Sequence, residues 1–104
     1  MAQFDVHKNP APSRARVPYL LDVQSDLLRG LATRVVIPLV RPAEVDNRPI
    51  RDLHFEVTVR SHRFIALGSE LAAVPAKALG AKVASLSARR ADVVRAIELM
   101  ISGV

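Results

Sequence analysis

The clearest pattern in the chain is a period of two. Leu53, Phe55, Val57 and Val59 alternate with His54, Glu56 and Thr58, which predicts a strand with one buried and one wet face. Arg60–Ser61 would turn this strand into a second one over His62–Leu67, although the pair lacks the Asn-Gly chemistry of a strong hairpin turn. Arg34–Leu39 is an apolar, β-branched run, as expected of a strand buried on both faces. Tyr19–Val23 reads as a strand entered through Pro18, and Ala2–Val6 as a short strand at the start. Between these runs, Asn9–Arg16 and Arg41–Pro49 are polar and proline-bearing, and Arg29–Gly30 breaks the chain; all three read as loops.

Leu71–Leu86 has no clean period. Pro75 argues against one long helix there, and Gly80 could end a short helical turn over Ala76–Leu79. From Ser87 the pattern becomes helical. Ser87 is a candidate N-cap, Val93, Val94, Ile97, Met100 and Ile101 form a stripe, and Gly103 is a natural stop. Several strands followed by one C-terminal helix predict an α+β fold, mainly antiparallel β, or a small barrel.

Composition bounds what such a fold can do. At 104 residues, half of them hydrophobic, the chain is expected to form one domain over residues 1–104 with a proper core. It has no cysteine, which excludes disulfides, a thiolate nucleophile and sulfur-ligated zinc. Met1–Val6 shows no signal-peptide pattern, and the longest apolar run, Val35–Val40, is far short of the roughly 20 residues of a membrane span. A cytoplasmic protein without membrane contact is the expectation. The net charge of +5 favours acidic partners, whether nucleic acid, an acidic protein segment or an acidic groove, but a solvated surface accounts for it equally well.

Candidate chemistry is sparse. His7, His54 and His62 lack metal-ligand spacing and read as solvated side chains. Asp22 and Asp26 read as turn-forming aspartates rather than a catalytic carboxylate pair. Ser25 has no base at a recognisable spacing, and four glycines form no phosphate loop. Phe4, Tyr19, Phe55 and Phe64 fall mostly on core-like positions, so they do not read as a stacking platform for nucleic acid, although an RNA-cleaving basic groove could work with scattered Arg, Thr and Ser. Nothing calls for a cofactor or metal. The end of the helix is more informative, because Met100 and Ile101 leave an apolar tip at the end of the chain. Such a tip more often marks a subunit or partner interface than a solvated tail.

Four blocks in order carry a resemblance. They are Asp22-Val23-Gln24-Ser25-Asp26; Val36-Ile37-Pro38-Leu39 with Arg34 ahead; Leu71-Ala72-Ala73-Val74-Pro75 with Gly80; and Val83-Ala84-Ser85-Leu86-Ser87 with Arg89. With Gln3-Phe4 at the start and Ala96-Ile97-Glu98-Leu99-Met100 near the end, the chain resembles the CcdB family over essentially its whole length. The resemblance implies an SH3-like small barrel with an extra small sheet and a C-terminal α-helix. It implies a homodimer paired across a two-fold axis near the helix ends. It also implies a toxin that binds the DNA gyrase A subunit and traps the cleaved-DNA complex, with no chemistry of its own. A disordered antitoxin (CcdA-like) would neutralise it, and operator DNA would be bound only through the antitoxin complex, repressing the shared operon.

Carried onto this sequence, the gyrase surface would comprise Ser25, Leu27, Leu28, Glu98, Ile101, Ser102, Gly103 and Val104. The antitoxin surface would comprise Gln3, Phe4, His7, Leu27, Leu28, Ile101, Gly103 and Val104. The chain departs from the family where Ser102 stands for a Trp, Ile101 for a Phe and Glu98 for an amide. Two alternatives follow: an mRNA endonuclease like MazF on the same barrel, or a toxin-fold protein that has lost gyrase activity and acts as antitoxin partner and co-repressor.

Overall fold

The structure is a computed structural model that describes residues 1–45 and 50–103. The last part of the loop expected to run to Pro49, and Val104 of both carried-over surfaces, lie outside the described residues. Among the described residues seven strands precede one α-helix: β1 Asp5–Lys8, β2 Tyr19–Asp22, β3 Thr33–Val40, β4 His54–Val59, β5 His62–Leu67, β6 Ala72–Pro75, β7 Lys82–Ser85 and α1 Arg90–Ser102. They form one curled antiparallel sheet in the order β4-β5-β3-β2-β1-β7, with β6 also paired to β3. The architecture is α+β, as the pattern predicted.

The curl originates at β3. β6 pairs with its first half, from Thr33↔Pro75 to Val36↔Ala72, and β5 with its last two residues, Leu39↔Ala66 and Val40↔Ile65. Pro38 falls at the hand-over. The carbonyl of Val35 accepts from Val23 N–H on the β2 side, so residues 36, 38 and 40 aim their backbone at the other edge. There the missing N–H of Pro38 meets the gap between β6 and β5, which is why a proline is tolerated inside a central strand. β6 and β7 escaped the sequence reading. Each is four residues long, and alanine-rich stretches such as Ala72-Ala73 carry little β signal.

One face of the sheet is the main core. Val6, Leu21, Ile37 and Leu39 pack with Val57, Val59, Phe64 and Ala66 and with Val93 of α1. Fully burying each Val, Leu, Ile or Phe of this set contributes about 1.5–3 kcal/mol. A second cluster of Val17, Val40 and Leu67 lies beneath the loops. The other face holds a surprise. Asp22, expected as an ordinary turn residue, is fully buried, and Arg34 is buried beside it, its Nε and Nη2 at 2.8 and 2.7 Å from the same carboxylate oxygen. A lone charge at either position would be untenable, so each residue requires the other.

Three local details differ from expectation. The first strand begins at Asp5, because Phe4 takes φ +72° and so leaves the extended region, with its ring buried. The helix begins at Arg90; Ser87 lies in a preceding 3-10 turn, where its N–H is 3.3 Å from Ser85 Oγ and its own side chain caps nothing. The β4–β5 hairpin closes with Arg60 and Ser61 both at positive φ, +50° and +68°, although neither residue favours it. The helix stop is as expected. Gly103 adopts φ +74° and its N–H bonds to Leu99 O at 3.1 Å.

α1 docks by its first half. Val93 and Ala96 are fully buried, and Gly68 makes that approach possible. A Cβ there would sit 2.5 Å from Leu53 O and 3.2 Å from Ala96 Cβ. The second half of the helix runs out from this anchor. Among the described residues no helix is long and apolar enough to cross a membrane.

Candidate partner-docking site

The carried-over residues fall into two clusters. The first is the turn that follows β2. Ser25 Oγ accepts from Leu27 N–H at 3.2 Å and so caps a 3-10 turn, Asp26–Leu28; it is a structural cap and has no base beside it. Gln24 braces the same turn from inside. Its Oε1 accepts from Val35 N–H at 3.1 Å, its Nε2 donates to Leu28 O at 3.0 Å, and its own N–H bonds to Asp22 Oδ1 at 3.0 Å. Gln3 joins from the N-terminus, where its N–H reaches Asp26 Oδ1 at 2.8 Å and its Nε2 reaches Val23 O at 3.2 Å. The buried ion pair, Gln24 and Gln3 thus hold a turn that points its leucines outward. Leu27 is 94% exposed, and Leu28 and Leu31 are about half exposed.

The second cluster is the tip of α1. Ile101 is 73% exposed, Met100 is exposed beside it, and Glu98 lies on the outward side. Ser102 Oγ donates back to Glu98 O at 2.8 Å, so its hydroxyl is folded onto the helix and offers little to a partner. Among the described residues no hydrogen bond or ion pair joins the leucine turn to the helix tip.

Two residues expected on the antitoxin surface are not on the surface. Phe4 is buried, with the Arg90 guanidinium 5.6 Å from its ring centroid. His7 is buried too, its Nδ1 3.0 Å from Gly80 O, because β1 is covered on both sides rather than one. The carbonyl can only accept, so Nδ1 carries the proton; Nε2 is buried with no partner among the described residues. The expectation of solvated histidines fails here and at His54.

His54 is half buried and lies 2.7 Å through Nε2 from Ser69 Oγ, a spacing that invites a nucleophile–base reading. The tautomer argues otherwise. Nδ1 accepts from Ile50 N–H at 2.9 Å, so in the neutral ring Nε2 bears the proton and donates to Ser69. The ring cannot then take the serine's proton. Only His62 is exposed, with Nδ1 3.0 Å from Arg60 O. Among the described residues no cluster of three His, Asp or Glu side chains could hold a metal.

A curled antiparallel sheet with one C-terminal α-helix, and with apolar side chains of a braced turn and of the helix tip facing solvent, defines a small α+β protein. The profile of the CcdB protein family matches residues 3–103, nearly the whole chain. The chain belongs to the CcdB family, the toxins of toxin–antitoxin systems. Among solved structures its fold is similar to an endoribonuclease in complex with its cognate antitoxin from Mycobacterial species. That protein is 12% identical with a TM-score of 0.77, covering 98% of this chain and 95% of that one.

Proposed function

We propose that this chain is the toxin of a type II toxin–antitoxin module that binds the DNA gyrase A subunit and traps the cleaved-DNA complex. It would work as one SH3-like domain in a cytoplasmic homodimer and do no covalent chemistry. The supporting observation is the exposure of Leu27 and Ile101 on backbone that is already fixed. Burying both side chains would contribute about 3–6 kcal/mol before the costs of association. Pairing two subunits near their helix ends would set the leucine turn of one beside the tip of the other. It would gather Gln3, Ser25, Leu27, Leu28, Glu98, Ile101, Ser102 and Gly103 into a continuous surface. Phe4 and His7 would act from beneath it, by shaping the backbone.

A disordered, acidic antitoxin segment would compete for the same surface, and the toxin would reach operator DNA only as part of that complex. Coupled folding of such a segment suits a partner of net charge +5. The fold likeness to an endoribonuclease favours the second reading, mRNA cleavage. His7 is buried and the contacts of His54 turn a proton toward Ser69, so cleavage would fall to His62 or to scattered Arg, Thr and Ser side chains.

The deciding experiment incubates pure protein with gyrase and supercoiled DNA, and separately with mRNA. Double-strand breaks that require gyrase, lost in Leu27→Asp and Ile101→Asp, are the expected result. Intact DNA with degraded RNA would establish the endonuclease instead. Inertness in both assays, with antitoxin binding retained, would establish the co-repressor reading. Light scattering at micromolar concentration is expected to give twice the mass of the chain.

A further inference from the structure

The sheet comes apart at one place, far along the chain from the leucine turn and the helix tip. β4 pairs with β5 along its whole length, but β3 reaches only Ala66 and Ile65 of it. Continuing that register would set Pro42 against Arg63, and Pro42 cannot pair there. Its nitrogen has no hydrogen, and its carbonyl accepts from Val45 N–H at 3.2 Å within the turn Pro42–Glu44. The carbonyl of Arg41 is likewise taken, by Glu44 N–H at 2.9 Å.

Arg63's backbone points into this gap. His62 closes a two-residue hairpin turn opposite Val59, so its own N–H and C=O face β4. Those of Arg63 therefore face the other edge, as do those of Ile65, which finds Val40. What Arg63 meets is a cleft of about 540 Å³, with Tyr19 and Phe64 on its floor and Arg41, His62 and Arg63 at its rim. Arg63 lies 3.5 Å from Glu56, but among the described residues no carboxylate is within ion-pair reach of Arg41. Arg41 is held in place by donating to Ala15 O at 3.3 Å.

We infer that this cleft takes an extended acidic peptide from a partner protein, added as a short strand beside Arg63 with its carboxylates toward Arg41 and Arg63. Open main-chain groups select a peptide, and the rim selects its charge. A single-stranded nucleic acid would instead seek open aromatic faces. Here Phe64 is buried, and Tyr19 is half buried with its ring at 85° to that of Phe64. The site is separate from the gyrase and antitoxin surface proposed above and does not depend on it.

The test is fluorescence anisotropy with a labelled nine-residue peptide of alternating Glu and Thr, blocked at both ends. The full chain is expected to bind it, and Arg41→Glu and Arg63→Glu to weaken binding tenfold or more at unchanged melting temperature. Replacing every second Thr by Pro, which keeps the charge and removes strand donors, is expected to abolish binding. Ile101→Asp is expected to leave it intact, so that loss of the helix-tip function and loss of this site read out separately. Equal binding of the proline peptide, tighter binding of a uridine decamer, or indifference to Arg41→Glu would each overturn the inference.

Discussion

Replacing Asp22 by Asn keeps the shape of the side chain and removes its charge, which makes it a sharp probe of the buried pair. In the native protein two guanidinium nitrogens of Arg34 lie within 2.8 Å of one Asp22 oxygen, and neither residue has meaningful contact with water. The variant leaves Arg34 charged, because a guanidinium does not deprotonate, and surrounded by low dielectric. Breaking a buried pair in this way costs about 3–5 kcal/mol. A domain of this kind has about 5–15 kcal/mol in total, so two to four powers of ten in the folded-to-unfolded ratio are at stake. With a urea m-value of about 2 kcal/mol/M, the unfolding midpoint should fall by about 2 M. The introduced amide would also have to choose between turning its oxygen to Arg34 and accepting from Gln24 N–H, so hydrogen exchange in the leucine turn should accelerate beyond the global change. The double variant Asp22→Leu with Arg34→Met, which removes both charges, should recover part of the loss, the remainder being the Gln24 N–H left without its Asp22 acceptor. A midpoint shift under about 0.5 M for Asp22→Asn at unchanged m would refute the claim that the pair is mutually required.

Gly68→Ala should destabilise by about 1–3 kcal/mol in thermal melts, since its Cβ would meet Leu53 O at 2.5 Å and displace α1; a neutral result would mean the helix is free to shift. Arg60→Asn with Ser61→Gly should stabilise by about 0.5–1 kcal/mol by relieving two positive-φ residues; lower stability in urea would mean that contacts of these side chains outweigh the strain. Ser102→Trp should leave the melting temperature unchanged and raise gyrase affinity by tens to hundreds of times, the scale of an aromatic anchor worth about 2–4 kcal/mol; unchanged gyrase trapping would mean this position lies off the interface.

The strongly periodic elements were legible because burial wrote them into the sequence. The alternation in Leu53–Val59, the run to Leu39 and, within the helical stripe, Val93 and Ile97 each report one residue's relation to one core. What was not legible depends on relations between distant segments. Asp22 looks like any turn aspartate until β3 places Arg34 across from it. His7 reads as a solvated side chain just past a short strand until β1 extends to Lys8 and the segment around Gly80 covers it. β6 and β7 exist because β3 and β1 offer them open edges, and their own residues barely ask for it. The exposed tip, by contrast, was visible in advance, since Ile101 lies two positions before a helix-stopping glycine and a full turn beyond the residues that anchor the helix, Val93 and Ala96.

Under the proposed function, that contrast bears on how one surface would serve two partners. Every bracing contact of the leucine turn is internal: Ser25, Gln24, Gln3 and the carboxylates of Asp22 and Asp26 are all engaged within the chain. The helix is anchored by Val93 and Ala96, well before its tip. If these are the docking residues, as proposed, they are braced before any partner arrives, and binding would need no refolding on this side. A folded target can then bind by shape alone, with both surfaces already formed. A disordered antagonist must supply the ordering cost itself, and has to offset it with wider contact and complementary charge. The antagonist therefore gains from extending past the apolar residues onto basic surface that a folded target leaves uncovered. Its advantage over that target should shrink as salt screens those outer contacts, while the apolar contacts common to both persist.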